Sequence, residues 1–156
     1  MESDGRRALG TARLIAALLY AVPLVVFPMV GKAIQGSAGV DADTLPALAV
    51  MLWLVGIVDY GVSLFLEGKM LRQARALGGQ SGRSSVATAL ILVSAFGASL
   101  AVYGLVLTFL GAPSYGAMFY ILCAVHGLHL VIRWPRYARA AEGRPTETTA
   151  GNTTRR

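Results

Sequence analysis

Charge is what this sequence is shortest of. Only 14% of its 156 residues are Asp, Glu, Lys or Arg, against about 25% in an ordinary soluble domain. None at all lies between Ser84 and Ile132. A run of that kind excludes a water-facing surface over the stretch, and a hydrophobic share of 55% excludes a disordered chain. Cysteine is nearly absent too: Cys123 alone permits neither an intramolecular disulfide nor a cysteine metal cluster. The two histidines, His126 and His129, share one predicted helix and cannot face each other across a haem iron within one chain. No cofactor is expected. There is no G-x-S-x-G, no H-E-x-x-H and no Walker-type loop, and Gly78-Gly79 reads as a turn among serines and basic residues. With no candidate nucleophile or metal ligand, the chain is not read as an enzyme.

What the sequence has instead is long apolar runs. A bilayer-spanning helix needs roughly 20 such residues, and four stretches qualify: about 14–30, 44–66, 86–110 and 115–132. Gly111-Ala112-Pro113-Ser114 separates the last two with turn composition. The fold class is therefore all-α, an integral membrane four-helix bundle built of two hairpins. Residues 1–13 form an N-terminal tail, 14–134 the membrane domain, and 135–156 a basic tail, disordered from about Ala140. Pro23 and Pro28 fall inside the first span, where lipid-embedded helices tolerate proline. Pro135 is expected to stop or bend the fourth helix at the membrane surface.

Orientation follows from the basic residues. Of 14 Lys and Arg, all but Lys32 fall in the N-tail, the loop between the second and third spans, and the C-tail. Four spans place those segments on one side, and the positive-inside rule makes it cytoplasmic. The expected location is the inner (plasma) membrane, with both termini inside. The net charge of +6 then serves topology and anionic headgroups, and no nucleic-acid partner is expected. The first span is longer than a signal-peptide core and carries two prolines, so it reads as a retained span. Asn152-Thr153-Thr154 matches a glycosylation sequon, without meaning on a cytoplasmic tail.

Ionisable groups within the hydrocarbon region are costly and mark candidate sites. Counting from span midpoints sets Asp59 and His126 at one depth, with Ser94 and Tyr20 at that level on the other helices. These four form the expected intramembrane polar cluster, with an Asp59–His126 pair at its centre. His129 and Glu67 are secondary candidates, His129 bonding headgroups or Glu67. Gly56, Asp59, Ser63 and Glu67 recur on one stripe of the second helix. Ser94, Gly97, Ala101 and Gly104 give the third helix a small-residue face suited to close packing. Tyr115, Trp134 and Tyr137 sit where interfacial aromatic belts occur.

The third span, ALILVSAFGASLAVYGLVLTFLGA, resembles the outer helix of the rotary ATPase proteolipid, the c subunit. Ala95-Phe96 and Tyr103-Gly104-Leu105-Val106 carry the likeness, and Arg72-Gln73 resembles that family's polar-loop Arg-Gln. The likeness would imply an ion-carrying carboxylate five residues before Tyr103, where this chain has Ala98. Ala74 stands where the family's loop proline would follow, and the glycine ladder of its inner helix is missing. A rotor needs an ionisable group near the midplane, and Ala98 is not one. The overall layout also resembles small four-span bacterial membrane proteins, which implies no activity. The expectation is therefore a non-catalytic accessory or assembly subunit whose partners are the lipid bilayer and either a membrane protein or further copies of itself. The alternative is a proteolipid-like proton- or ion-translocating protein using Asp59 and His126.

Overall fold

The computed structural model describes residues 2–34, 41 and 43–143, with side chains from residue 7 onward. Four helices follow one another: α1 (Glu2–Ile34), α2 (Leu45–Leu77), α3 (Gly79–Phe109) and α4 (Pro113–Glu142). Each is long and apolar enough to cross a membrane, which makes the chain compatible with a multi-pass membrane protein.

All four helices outrun the spans expected from hydropathy, because a helix does not end where its residues turn polar. The N-terminal tail is helical from Glu2. The basic segment between the second and third spans is not an extended loop, since α2 runs to Leu77 and α3 starts at Gly79. The whole connection is Gly78, with φ +60°, followed by Gly79 at φ +51°. Two successive positive φ values are accessible only to glycine at low cost. Pro135 does not stop α4, which continues through it to Glu142, and Ala140 and Ala141 are buried at its far end. The tail expected to be disordered from about Ala140 is therefore helical through Glu142; residues 144–156, with the Asn152 sequon, lie outside the described residues. The predicted turn at Gly111–Ser114 does occur. Gly111 takes φ +94°, and Pro113 opens α4, where its missing N–H goes unused.

Close contacts fix the topology. Gly82 abuts the Ala74 carbonyl and Gly56 abuts Leu100, so α2 and α3 form an antiparallel hairpin in which paired residue numbers sum to about 156. Gly104 against Gly116 makes α3 and α4 antiparallel as well. Gly31 against Thr108 and Tyr20 against Gly97 keep a constant offset of 77, so α1 runs parallel to α3. The bundle is up-down-up-down but not the two hairpins expected: α1 packs on α3 instead of α2, so of those two pairs only α3–α4 forms. The start of α1, Gly78 and Gly143 share one end, with Gly143 packed on Gly78.

The centre of the bundle is α3. It contacts all three other helices extensively, whereas α4 meets α1 and α2 along narrow strips, and the backbones of α1 and α2 do not approach each other among the described residues. The reason lies in its sequence. The expected small face of Ser94, Gly97, Ala101 and Gly104 is wholly buried. At Gly104 and Gly116 a Cβ would lie 2.8 and 2.6 Å from the opposite helix's carbonyl oxygen. Such close approach of the two backbones gives α3 and α4 dense van der Waals packing that any side chain at either glycine would break.

Candidate functional site

Polar groups collect in three places along the bundle. At its core stands His126, 3% exposed. Its Nδ1 lies 2.6 Å from the Tyr20 hydroxyl of α1, and its Nε2 lies 3.2 Å from the Ser63 hydroxyl of α2. A neutral imidazole donates through one nitrogen and accepts through the other, so both of its hydrogen-bonding positions are filled. The α4 residue thereby ties α1 to α2, whose backbones do not approach each other among the described residues. Gly97 of α3 makes the space, since a Cβ there would overlap the Tyr20 hydroxyl and sit 2.6 Å from His126 Nδ1. Ser94 is fully buried, donates 2.8 Å to its own helix at the Leu90 carbonyl, and lies beside the Tyr20 hydroxyl. Tyr60 stands edge-on to His126 with ring centroids 5.3 Å apart.

The second place is the α2–α3 seam. Asp59 Oδ2 accepts a hydrogen bond from the Tyr103 hydroxyl at 2.6 Å, and the Ser99 hydroxyl lies 3.1 Å away, its single proton shared between this oxygen and the Phe96 carbonyl at 2.7 Å. The expected Asp59–His126 pair is not formed. Of the four residues predicted to cluster, Tyr20, His126 and Ser94 come together, and Asp59 sits apart. The stripe argument shows why. Gly56, Ser63 and Glu67 of α2 are buried, but half-buried Asp59 is turned from that line toward α3. It borders a shallow hollow of about 280 Å³ shared with Leu92, Ala95 and Phe96. Its level on α3 is one residue from Ala98, and Tyr103 is the tyrosine of the Tyr-Gly-Leu-Val run.

The third place is the end of the bundle that holds Gly78. Glu67, 2% exposed, accepts a 2.8 Å charge-assisted hydrogen bond from Arg133. The Tyr137 hydroxyl is fully buried near Glu67 but closes no hydrogen bond. Tyr137 is thus a core residue rather than the interfacial aromatic expected, stacked at 6° on half-buried Trp134. His129 does not reach Glu67. Its Nε2 is buried without a partner, and its ring meets Tyr60 edge-on.

Sequence reading missed Ser99 and Tyr103 as the partners of Asp59, Ser63 as that of His126, and Arg133 as that of Glu67. One signal was available. A hairpin turning at Gly78-Gly79 sets Asp59 opposite Gly97 and Ala98 by simple register, within reach of Ser99. Among the described residues no group of His, Cys, Asp or Glu is disposed to hold a metal ion. Comparison with protein-family models, curated proteins and solved structures gives no match.

Proposed function

We propose that this protein is a non-catalytic accessory or assembly subunit of the inner (plasma) membrane, with both termini cytoplasmic, docked through its α2–α3 seam. The observation that supports it is the Asp59 carboxylate. It lies near the middle of α3's apolar span, where an ionised carboxylate costs about 2.5–3.5 kcal/mol or more. Both of its protein donors fall on Oδ2, leaving Oδ1 without a donor among the described residues. A donor or cation on a partner helix, from another membrane protein or a second copy, would complete it. The test is the mass of the mild-detergent extract, with photo-crosslinkers at Leu92 and Ala95. The wild type should run as a complex cross-linked at both positions. Asp59→Leu should release the partner while leaving the bundle folded. A strictly monomeric wild type with no co-purifying protein would refute the reading.

A second reading has its own support. A carboxylate held by one tyrosine and one serine hydroxyl at mid-span can take up a proton or a small cation, and the resemblance of α3 to the proteolipid helix points the same way. Here α2 supplies the acid at the level where α3 has Ala98. His126, engaged with Tyr20 and Ser63, takes no direct part. On this reading, liposomes holding the protein conduct protons or sodium, and Asp59→Asn abolishes the flux. Flux that survives Asp59→Asn, or no flux in the wild type, removes it.

A further inference from the structure

Where α1 and α4 splay apart, a groove of about 380 Å³ opens on the outer surface of the bundle. Arg13 and Trp134 stand at its mouth, Ala17, Gly127 and Val131 along its walls, and Tyr20 at its inner end. From Arg13 to Tyr20 is two turns of α1, about 10 Å, and Trp134 to Gly127 covers the same length on α4. The volume falls in the range of real ligand sites, about 300–1,000 Å³. The walls are apolar and small. The mouth is not: the Arg13 guanidinium lies 3.5 Å over the Trp134 ring, and no carboxylate pairs with it among the described residues. Stacking on an indole orients a guanidinium without neutralising it, leaving its N–H fork free for phosphate. Arg13 also stands at the boundary of the first apolar run, the level where phospholipid headgroups lie.

We infer that this groove binds one anionic glycerophospholipid from the leaflet at the end of the bundle where the chain begins. Its phosphate rests on Arg13, and one acyl chain lies along Ala17 and Gly127 toward Tyr20. The charge at the mouth selects an anionic headgroup, and the apolar walls select a chain. The inference rests on the membrane-spanning reading but on neither proposed activity of Asp59.

The test uses the full chain in detergent. Trp53→Phe leaves Trp134 as the sole tryptophan, so lipids with brominated chains report on the groove by quenching it. Brominated phosphatidylglycerol should quench Trp134 at a several-fold lower mole fraction than brominated phosphatidylcholine. Arg13→Gln should erase that preference, and Ala17→Phe, which fills the wall from an exposed position, should weaken quenching by both lipids. Equal quenching by the two lipids in the parent, or a preference that survives Arg13→Gln, overturns the site. Displacement of the brominated lipid by soluble glycerophosphate reduces it to a phosphate site and overturns the lipid assignment. No quenching by either lipid at saturation likewise overturns the groove as a lipid site.

Discussion

Arg133→Ala is expected to destabilise the bundle by about 3 kcal/mol, measured by equilibrium unfolding in mixed micelles against the wild type. Removing one member of a buried ion pair leaves the other charge without compensation, at a cost of about 3–5 kcal/mol. The lower end applies because the Arg133 side chain is 28% exposed and is already partly hydrated. The two partners are not equivalent. Glu67 is 3% exposed by the same measure and has no route to water, so deleting the arginine strands it. Glu67→Gln leaves an arginine that can extend toward the bundle end, and should cost less. Replacing both by leucine should recover most of the loss. Tyr137→Phe should be near neutral in the wild type, where the hydroxyl closes no bond, and harmful on the Arg133→Ala background, where that buried hydroxyl near Glu67 is left to donate to it. Equal losses for Arg133→Ala and Glu67→Gln would contradict this asymmetry.

Gly97→Ala is expected to be as damaging, though it adds one methyl group. Its Cβ would occupy the space of the Tyr20–His126 hydrogen bond. Overpacking a filled core costs about 1–3 kcal/mol, and a buried donor or acceptor left unpaired costs about 1–3 kcal/mol more. The two add, because relief of the clash requires the rings to part. The same change at Gly61, with nothing within 4 Å of the added carbon, serves as the control and should be neutral or slightly stabilising through helix propensity. Thermal unfolding of the two variants in detergent decides the matter, and a Gly97→Ala transition equal to that of Gly61→Ala would show that His126 does not need Tyr20.

The helical class, the number of helices and the Gly111 turn were all legible in the sequence, because uncharged length and turn composition are local properties. The small face of α3 was legible for the same reason, since spacing alone assigns a face. The pairing of Asp59 was not. Its depth was read from the midpoint of an apolar run, which presumes that helices end with their hydropathy. In fact α2 continues through Glu67, Lys69, Arg72 and Arg75 before turning, so alignment by midpoints set Asp59 level with Ser94 instead of Gly97, about one turn short of its partners Ser99 and Tyr103. Glu67 and Arg133 were each visible as charges, but that they meet depends on the parallel register of α2 and α4, which no local pattern encodes. Tyr137 was assigned to the interface by its place beyond the fourth apolar run, and the continuation of α4 past Pro135 draws it inside.

The single-residue passage at Gly78 limits how this molecule can move. With no slack between them, α2 and α3 cannot slide past each other by a turn, nor can one rotate while the other stays still. Any working stroke must instead tilt α1 or α4 against that fixed pair, and the hydroxyl–imidazole link between Tyr20 and His126 is the latch that such a tilt would have to open.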